Sequence, residues 1–335
     1  PQSRYGDNVI TRIQYAAHGE LATLQKLVHD ALQGLFDQLG MADVTRIAVS
    51  GNTVMCCLFH GINPESIGVM PFLPPVRTFP ERRDWFGGIP VLTIPAISGY
   101  VGGDLTAGLF ETKLGVGEML IDIGTNCEII YATSQGVFCT SAAAGPAFEG
   151  AGLTCGCRAV DGAIDHYFDE GTFSVLGSSR AMGLCGSGLI DFLAVKRRQG
   201  EISEMGRYEP KAESRPVADG IAVHERDLEQ ILKAKAAVWA GIKTLEDFCG
   251  GPASKIYLAG GFAQFVDLKN AVAIGMLPDR PYQTVGNTSL AGAARLACDP
   301  GHARELDRLI DIPREVPLNT LVNFEDNFID GLFLP

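Results

Sequence analysis

The chain has 335 residues, enough to bury a core and, by ordinary domain sizes, to form two lobes rather than one compact unit. Its 39 acidic and 27 basic residues give a formal net charge of −12, which repels phosphate backbones and anionic lipid head groups, so no nucleic acid and no membrane surface is expected as partner. Nine cysteines without regular spacing read as the reduced thiols of a cytoplasmic protein, and their spacing gives this chain no iron–sulfur cluster of its own.

The opening Pro1-Gln2-Ser3-Arg4-Tyr5-Gly6 reads like the middle of something longer, and a fragment or processed chain is expected. Between residues 8 and 38, Val9, Ile10, Ile13, Leu21, Leu24, Leu27, Val28, Leu32 and Phe36 recur near every 3.6 positions, which predicts two helices broken near Gly19. A short apolar run at 46–50 predicts a strand that ends in Gly51-Asn52-Thr53 and enters a helix over 54–59. A proline-rich connector at 71–80 leads to a strand at 91–95, then a glycine turn into a helix over 104–114. The first lobe is drawn at 1–115.

The second lobe, 116–312, opens with Met119 to Tyr131, two β-rich runs pivoting about Gly124 and Thr125, read as a hairpin. A third run at 136–140 leads into a small-residue loop at 142–156. Asp227-Leu228-Glu229-Gln230 reads as the capping box of a long helix striped with Leu228, Ile231, Leu232, Trp239, Ile242 and Leu245 and stopped by Gly250 and Gly251. A strand at 255–259 turns at Gly260-Gly261 into another helix, and the tail 313–335 carries no clear periodicity.

Four segments have the composition of a ligand site. Asp122-Ile123-Gly124-Thr125-Asn126 puts a carboxylate at a strand end beside a turn whose glycine lets backbone N–H groups approach a phosphate, with Asp122 suited to hold magnesium through water; a plain hairpin turn asks for the same residues. Gly260-Gly261-Phe262 after a buried strand offers a helix N-terminus to an anion or a flat face to a purine, or only a tight turn. Gly102-Gly103-Asp104 opens a helix whose small residues allow another helix close, with Asp104 either a cap or a base. Ser289-Leu290-Ala291-Gly292 is a similar helix start. Glu149, a lone acid among glycines, is placed to reach a ribose hydroxyl or to cap backbone, and Ser187 and Gly188 to donate N–H groups to a nucleotide or to cap a helix. Cys155-Gly156-Cys157 has two thiols that could ligate metal or sense oxidation, short of the four a ferredoxin cluster needs. Cys56, Cys57 and Cys127 read as buried hydrophobes, and His166 as a surface residue.

The order of these segments resembles the second half of the superfamily of actin, sugar kinases and heat-shock ATPases, whose ASKHA fold is α/β with two RNase H-like lobes around a nucleotide cleft. The resemblance implies that Gly103, Asp104, Asp122, Gly124, Thr125, Asn126, Gly260, Gly261 and Phe262 line that cleft with ATP and Mg2+, Asp104 and Asp122 being catalytic. The superfamily's first Asp-x-Gly-Thr hairpin has no copy before residue 104. Finer motifs, Ser50-Gly51-Asn52-Thr53, the run from Ser141 to Gly152 with Arg158-Ala159, Cys185-Gly186-Ser187-Gly188-Leu189, Leu258-Ala259-Gly260-Gly261-Phe262 and Gly286-Asn287-Thr288-Ser289, resemble the reductive activators of corrinoid proteins. Such activators place a plant-type ferredoxin domain ahead of the ATPase module, which implies a 2Fe-2S cluster upstream of this chain. They couple ATP to reduction of a Co(II) corrinoid to Co(I), so the implied partner is a corrinoid (cobalamin-binding) protein; a homodimer is also expected. A small-molecule kinase of the same fold, or a non-catalytic dimerisation and docking module, stands as the alternative.

Overall fold

The computed structural model describes every residue except 1, 3, 4, 7, 41, 42, 178 and 179. The chain divides into two compact units, Pro1–Lys113 with Asn287–Glu315, and Leu114–Gly286 with Val316–Pro335.

The first unit begins with helix α1 (Val9–Tyr15), capped by Asn8, whose side chain accepts the Thr11 N–H. A π-helical stretch, Ala16–Glu20, joins it to α2 (Leu21–Leu39), and the expected break falls on Gly19, at φ 96, a left-handed angle that costs a residue with a side chain. Strand β1 (Ile47–Val49) pairs in parallel with β2 (Val91–Thr93), so Ile47 faces Val91 and Val49 faces Thr93. Between them lies α3 (Thr53–His60), started by Asn52, whose side chain accepts the Met55 N–H, and closed by Gly61 in the left-handed region. Helix α4 (Gly103–Thr112) follows β2.

The second unit is built on five sheet strands, Tyr282–Gly286, Lys255–Ala259, Glu118–Ile123, Cys127–Thr133 and Gly136–Ala142, side by side in that order. Strands β3 (Glu118–Ile123), β4 (Cys127–Thr133) and β5 (Gly136–Ala142) form the expected antiparallel meander. A smaller sheet of β6 (Ala163–Tyr167), β7 (Phe173–Val175) and β8 (Gly183–Leu184) leads into α5 (Gly186–Arg198), and the hairpin β9 (Ser214–Ala218) and β10 (Ile221–His224) into α6 (Glu225–Phe248). Five of the six stripe residues of α6 are buried, Trp239 being half-buried, and the helix packs on β4 and β5. The expected capping box is corrected by one turn. His224 is the N-cap, and Asp227, third in the helix, accepts its N–H at 3.0 Å while also taking the Thr154 N–H and hydroxyl, so its carboxylate points back rather than starting the helix.

Strand β11 (Lys255–Ala259) runs parallel to β3 and to β12 (Tyr282–Gly286). The helix expected directly after Gly260-Gly261 is a single 3-10 turn, Phe262–Gln264; regular helix waits for α7 (Leu268–Ala273), because Asp267 supplies the first side-chain cap by accepting the Asn270 N–H.

The chain then returns to the first unit as α8 (Thr288–Cys298) and α9 (Ala303–Leu309). Helix α8 packs on α4, as their small residues allow: a Cβ on Gly292 would lie 2.7 Å from the Ala107 Cβ. The tail, expected to lack periodicity, forms α10 (Asn323–Leu332) in the second unit. Phe324, Phe328 and Leu332 recur every four residues and pack on the core, and buried Lys235 of α6 donates to the carbonyls of Gly331 and Phe333 at 2.6 and 2.8 Å. Among the described residues no helix is long and apolar enough to cross a membrane.

Candidate functional site

The β3–β4 hairpin ends on the pairs Asp122–Glu128 and Ile123–Cys127, leaving Gly124, Thr125 and Asn126 as the turn. The turn is held on both sides: the Gly124 N–H donates to the Asn126 carbonyl, and the Gly145 N–H to the Thr125 carbonyl, each at 2.9 Å. Neighbouring β11 aligns Ala259 with Asp122, so Gly260 comes next to the carboxylate. Gly260 has φ 94, and a Cβ there would lie 2.5 Å from Asp122 Oδ1. Its own N–H donates to the Gly286 carbonyl at 3.0 Å, which fixes the close approach. The Asp122 and Gly260 bends thus face one another within the second unit.

Beside them is a cavity of about 410 Å³. Phe148, Glu149, Arg158 and Ala159 form one wall, Cys185, Gly186 and Ser187 another, and Gly261, Phe262 and Phe265 a third, with Asp165 and Leu176 completing the lining. The Phe148 and Phe262 rings stack with centroids 5.1 Å apart and planes 17° from parallel. Gly186 is wedged between these walls, since a Cβ on it would fall 2.2 Å from the Phe148 carbonyl oxygen and 2.8 Å from the Phe262 ring. Helix α5 starts at this wall, and its first-turn N–H groups have no acceptor within the helix, which favours negative charge there. Thr125 Oγ1 donates to Glu149 Oε1 at 2.6 Å, which ties the hairpin bend to the cavity. The cavity therefore joins a flat aromatic wall, a cation, two carboxylates and a bend rich in backbone N–H groups, the equipment for a ligand with an aromatic ring, hydroxyls and anionic groups.

Of the residues singled out from sequence, Glu149, Ser187, Gly261 and Phe262 line this cavity. Asp122, Gly124, Thr125, Asn126 and Gly260 form the adjoining bends. Gly188 packs against β6, its missing Cβ 2.4 Å from the Ile164 carbonyl oxygen. Gly103 and Asp104 belong to the first unit, where a Cβ on Gly103 would lie 2.5 Å from the Ile94 carbonyl oxygen. There the Asp104 N–H donates to the Gly51 carbonyl, Asp104 Oδ1 accepts the Leu105 N–H, and burial pushes the Asp104 carboxyl up to about 6. Ser289 Oγ donates to Ser50 Oγ at 2.9 Å, so three separate sequence motifs meet at this corner of the first unit.

Asp165, Leu176 and Phe265 were not singled out, and Arg158 entered only as part of a motif. Phe265, three residues after Phe262 and across the 3-10 turn from it, is the one a spacing argument could have found. His166, expected at the surface, is half-buried there, with its Nδ1 2.8 Å from the buried carboxylate of Asp191, which also accepts from Asn270 Nδ2 at 2.7 Å. Cys56, Cys57 and Cys127 are buried. Burial lifts the Cys155 thiol to about 12, and among the described residues no group of three His, Cys, Asp or Glu side chains is placed to hold a metal.

Residues 117–335 match the C-terminal domain of RACo, the ASKHA domain, and residues 1–116 match the RACo middle region. The chain belongs to the RACo family. Over 98% of its length it is 28% identical to the corrinoid activation enzyme RamQ of Eubacterium limosum, of which it covers 64%. It is 26% identical, again over 98% of its length, to the Co(II) methylated amine-specific corrinoid protein reductase of Methanosarcina barkeri, of which it covers 69%. Among solved structures it matches a reductive activator for corrinoid, iron–sulfur protein with a TM-score of 0.88 and 29% identity, over 100% of this chain and 61% of that one. The chain thus spans less than two thirds of RamQ and of that structural relative. The α/β ASKHA fold and the likeness to corrinoid-protein activators, both expected from the motifs, are borne out by the RACo match.

Proposed function

We propose that this chain is the ATP-binding module of a reductive activator that returns a corrinoid protein from Co(II) to Co(I) for a methyltransferase system. The observation that supports the reading is the Thr125–Glu149 bond, which ties the hairpin bend to a residue of the aromatic cavity in an ASKHA domain of the RACo family. Bound ATP would supply the differential affinity for two conformers that makes the uphill electron transfer possible.

In this reading Phe262 gives a face to the adenine, Gly261 leaves room for it, and Glu149 accepts from a ribose hydroxyl. The N–H groups of Thr125 and Asn126, in the turn that Gly124 closes through its own bond to the Asn126 carbonyl, with those of Ser187 and Gly188 at the start of α5, answer the phosphates. Asp122, against which Gly260 packs, would hold Mg2+ through water. Gly103 lets the Ile94 carbonyl pack against the start of α4, which carries Asp104, the second catalytic carboxylate; a carboxyl with a pKa raised to about 6 is suited to moving a proton near neutral pH. The electron would come from a 2Fe-2S cluster in an upstream ferredoxin domain, the corrinoid protein is the partner, the assembly is a homodimer, and its place is the cytoplasm.

The test begins with melting in the presence of ATP and Mg2+, where nucleotide at 100 times its dissociation constant adds roughly 2.7 kcal/mol to stability. An unchanged melting temperature removes the ATPase reading and leaves a docking module. Phosphate release is then followed with a Co(II) corrinoid protein and with candidate small acceptors. Stimulation by the corrinoid protein supports the activator, and stimulation by a small acceptor makes the chain a kinase.

A further inference from the structure

The proposed function makes no use of the paired segments Cys155–Cys157 and Gly183–Cys185, although both run into the cavity wall. They are joined by two backbone bonds: the Leu184 N–H donates to the Cys155 carbonyl at 2.8 Å, and the Cys157 N–H to the Leu184 carbonyl at 2.9 Å. The two bonds make Gly156 and Leu184 a parallel bridge, so Cys157 and Cys185, one residue further along each strand, are cross-strand neighbours about 5 Å apart at the α-carbons, within reach of disulfide geometry with little backbone movement. The Cys157 thiol lies over Gly183, where a Cβ would be 3.2 Å from Sγ, on the face of that strand which Cys185 shares, and a turn about its side-chain torsion carries it toward Cys185.

We infer that Cys157 and Cys185 are a reversible thiol-modification site, closed to a disulfide by exchange with a small disulfide such as oxidised glutathione, and that closing it weakens ligand binding in the adjacent cavity. The chemistry balances. The thiolate of one cysteine attacks the small disulfide and expels one thiol, and the thiolate of the other displaces the second thiol from the mixed disulfide. The two protons end on the released thiols, and two electrons pass from the cysteine pair to the oxidant. Excess reduced thiol reverses both steps.

The consequence for the cavity follows from what flanks the pair. Cys185 lines the cavity, and Arg158, the residue after Cys157, lines it from the other side. Cys185 Sγ now sits 3.4 Å from Ser187 Oγ, a contact that turning the sulfur toward Cys157 would give up. Gly186 has no slack to absorb the shift, being packed on Phe148 and Phe262. Other thiols are poor competitors. Cys155 is buried with its pKa lifted to about 12, and exposed Cys298 belongs to the other unit. Burial and the nearby Cys185 also raise the Cys157 thiol, so the exchange quickens toward alkaline pH.

The loss of binding rests on the nucleotide reading above, whereas formation of the bond does not. The chain is equilibrated with oxidised glutathione, free thiols are alkylated, and the unreduced digest is mapped by mass spectrometry. A peptide pair linked through Cys157 and Cys185 is expected, lost on reduction, with ATP affinity about tenfold weaker in the oxidised form and restored by dithiothreitol. Cys157→Ser should bind ATP like the reduced parent and ignore the oxidant. A Cys155–Cys157 link, mixed disulfides alone, or a Cys157–Cys185 bond with unchanged affinity overturns the inference. Should the reduced parent bind no ATP, the nucleotide reading fails and the disulfide gate with it, while the map still decides whether the pair is a modification site.

Discussion

Gly260 lies so close to Asp122 that a single methyl group would stand 2.5 Å from the carboxylate oxygen Oδ1. The backbone at Gly260 is left-handed as well, so Gly260→Ala meets both a conformational penalty and a collision. The variant should lose more than about 1 kcal/mol of stability, read from its urea midpoint. Gly261→Ala is the control: φ is −66 and a Cβ there meets nothing within 4 Å, so its stability should stay within about 0.5 kcal/mol of the parent. Equal losses in the two variants would show that the Asp122 contact is unimportant.

Asp104 should make the protein less stable as pH rises. Its folded pKa is raised from 3.8 to about 6, so the folded state holds the proton more tightly than the unfolded one. The stabilising contribution is complete below pH 3.8 and is lost as pH climbs through 6. Asp104→Asn keeps an oxygen for the Leu105 N–H and removes the buried charge. It should therefore be more stable than the parent above pH 6, by on the order of 1–3 kcal/mol, and the two should converge near pH 4. Denaturation at pH 4, 6 and 8 checks the crossover, and ATP hydrolysis by the variant should fall even where its stability rises.

Phe262→Ala removes one half of the aromatic stack at the cavity. Titration calorimetry should find ATP bound about tenfold more weakly, in line with the roughly 0.5–1.5 kcal/mol an aromatic pair contributes beyond its buried area. Phe265, 61% exposed, has less to lose, and Phe265→Ala should cost a smaller factor. The reverse ranking would move the adenine away from Phe262.

Lys235 anchors the C-terminal helix, and burial has pulled its ammonium pKa down to about 7. Lys235→Ala empties a fully buried site and strands two carbonyls, at a cost of about 2–5 kcal/mol. Hydrogen exchange should show the amides of residues 323–332 losing protection well before those of β3. Uniform loss across the second unit would mean that α10 does not open separately.

Much of the fold is legible in the sequence because its signals are local. Gly19 breaks the first helical stretch, the turn about Gly124 and Thr125 makes a hairpin, and the small faces of α4 and α8 meet at Ala107 and Gly292. What was missed depends on partners far along the chain. The N-cap at His224 is secured by an Asp227 carboxylate that also serves Thr154, a neighbour no spacing rule can supply. The cavity gathers residues from 148 to 265, and Asp165 enters it from a strand whose own pattern names no ligand. Helix α10 was overlooked because three apolar residues at fourfold spacing, set among acids, become a signal only beside the α6 surface they cover.

The crossing of α4 by α8 bears on biosynthesis. Ala107 emerges from the ribosome long before Gly292, with Leu114–Gly286 of the second unit still to be translated between them. At roughly 5–20 residues per second the wait is on the order of ten to forty seconds. Throughout it, the alanine and glycine face of the earlier helix has no mate. The first unit therefore stays incomplete until α8 arrives, and a polypeptide truncated before Thr288 would carry a first unit missing one wall.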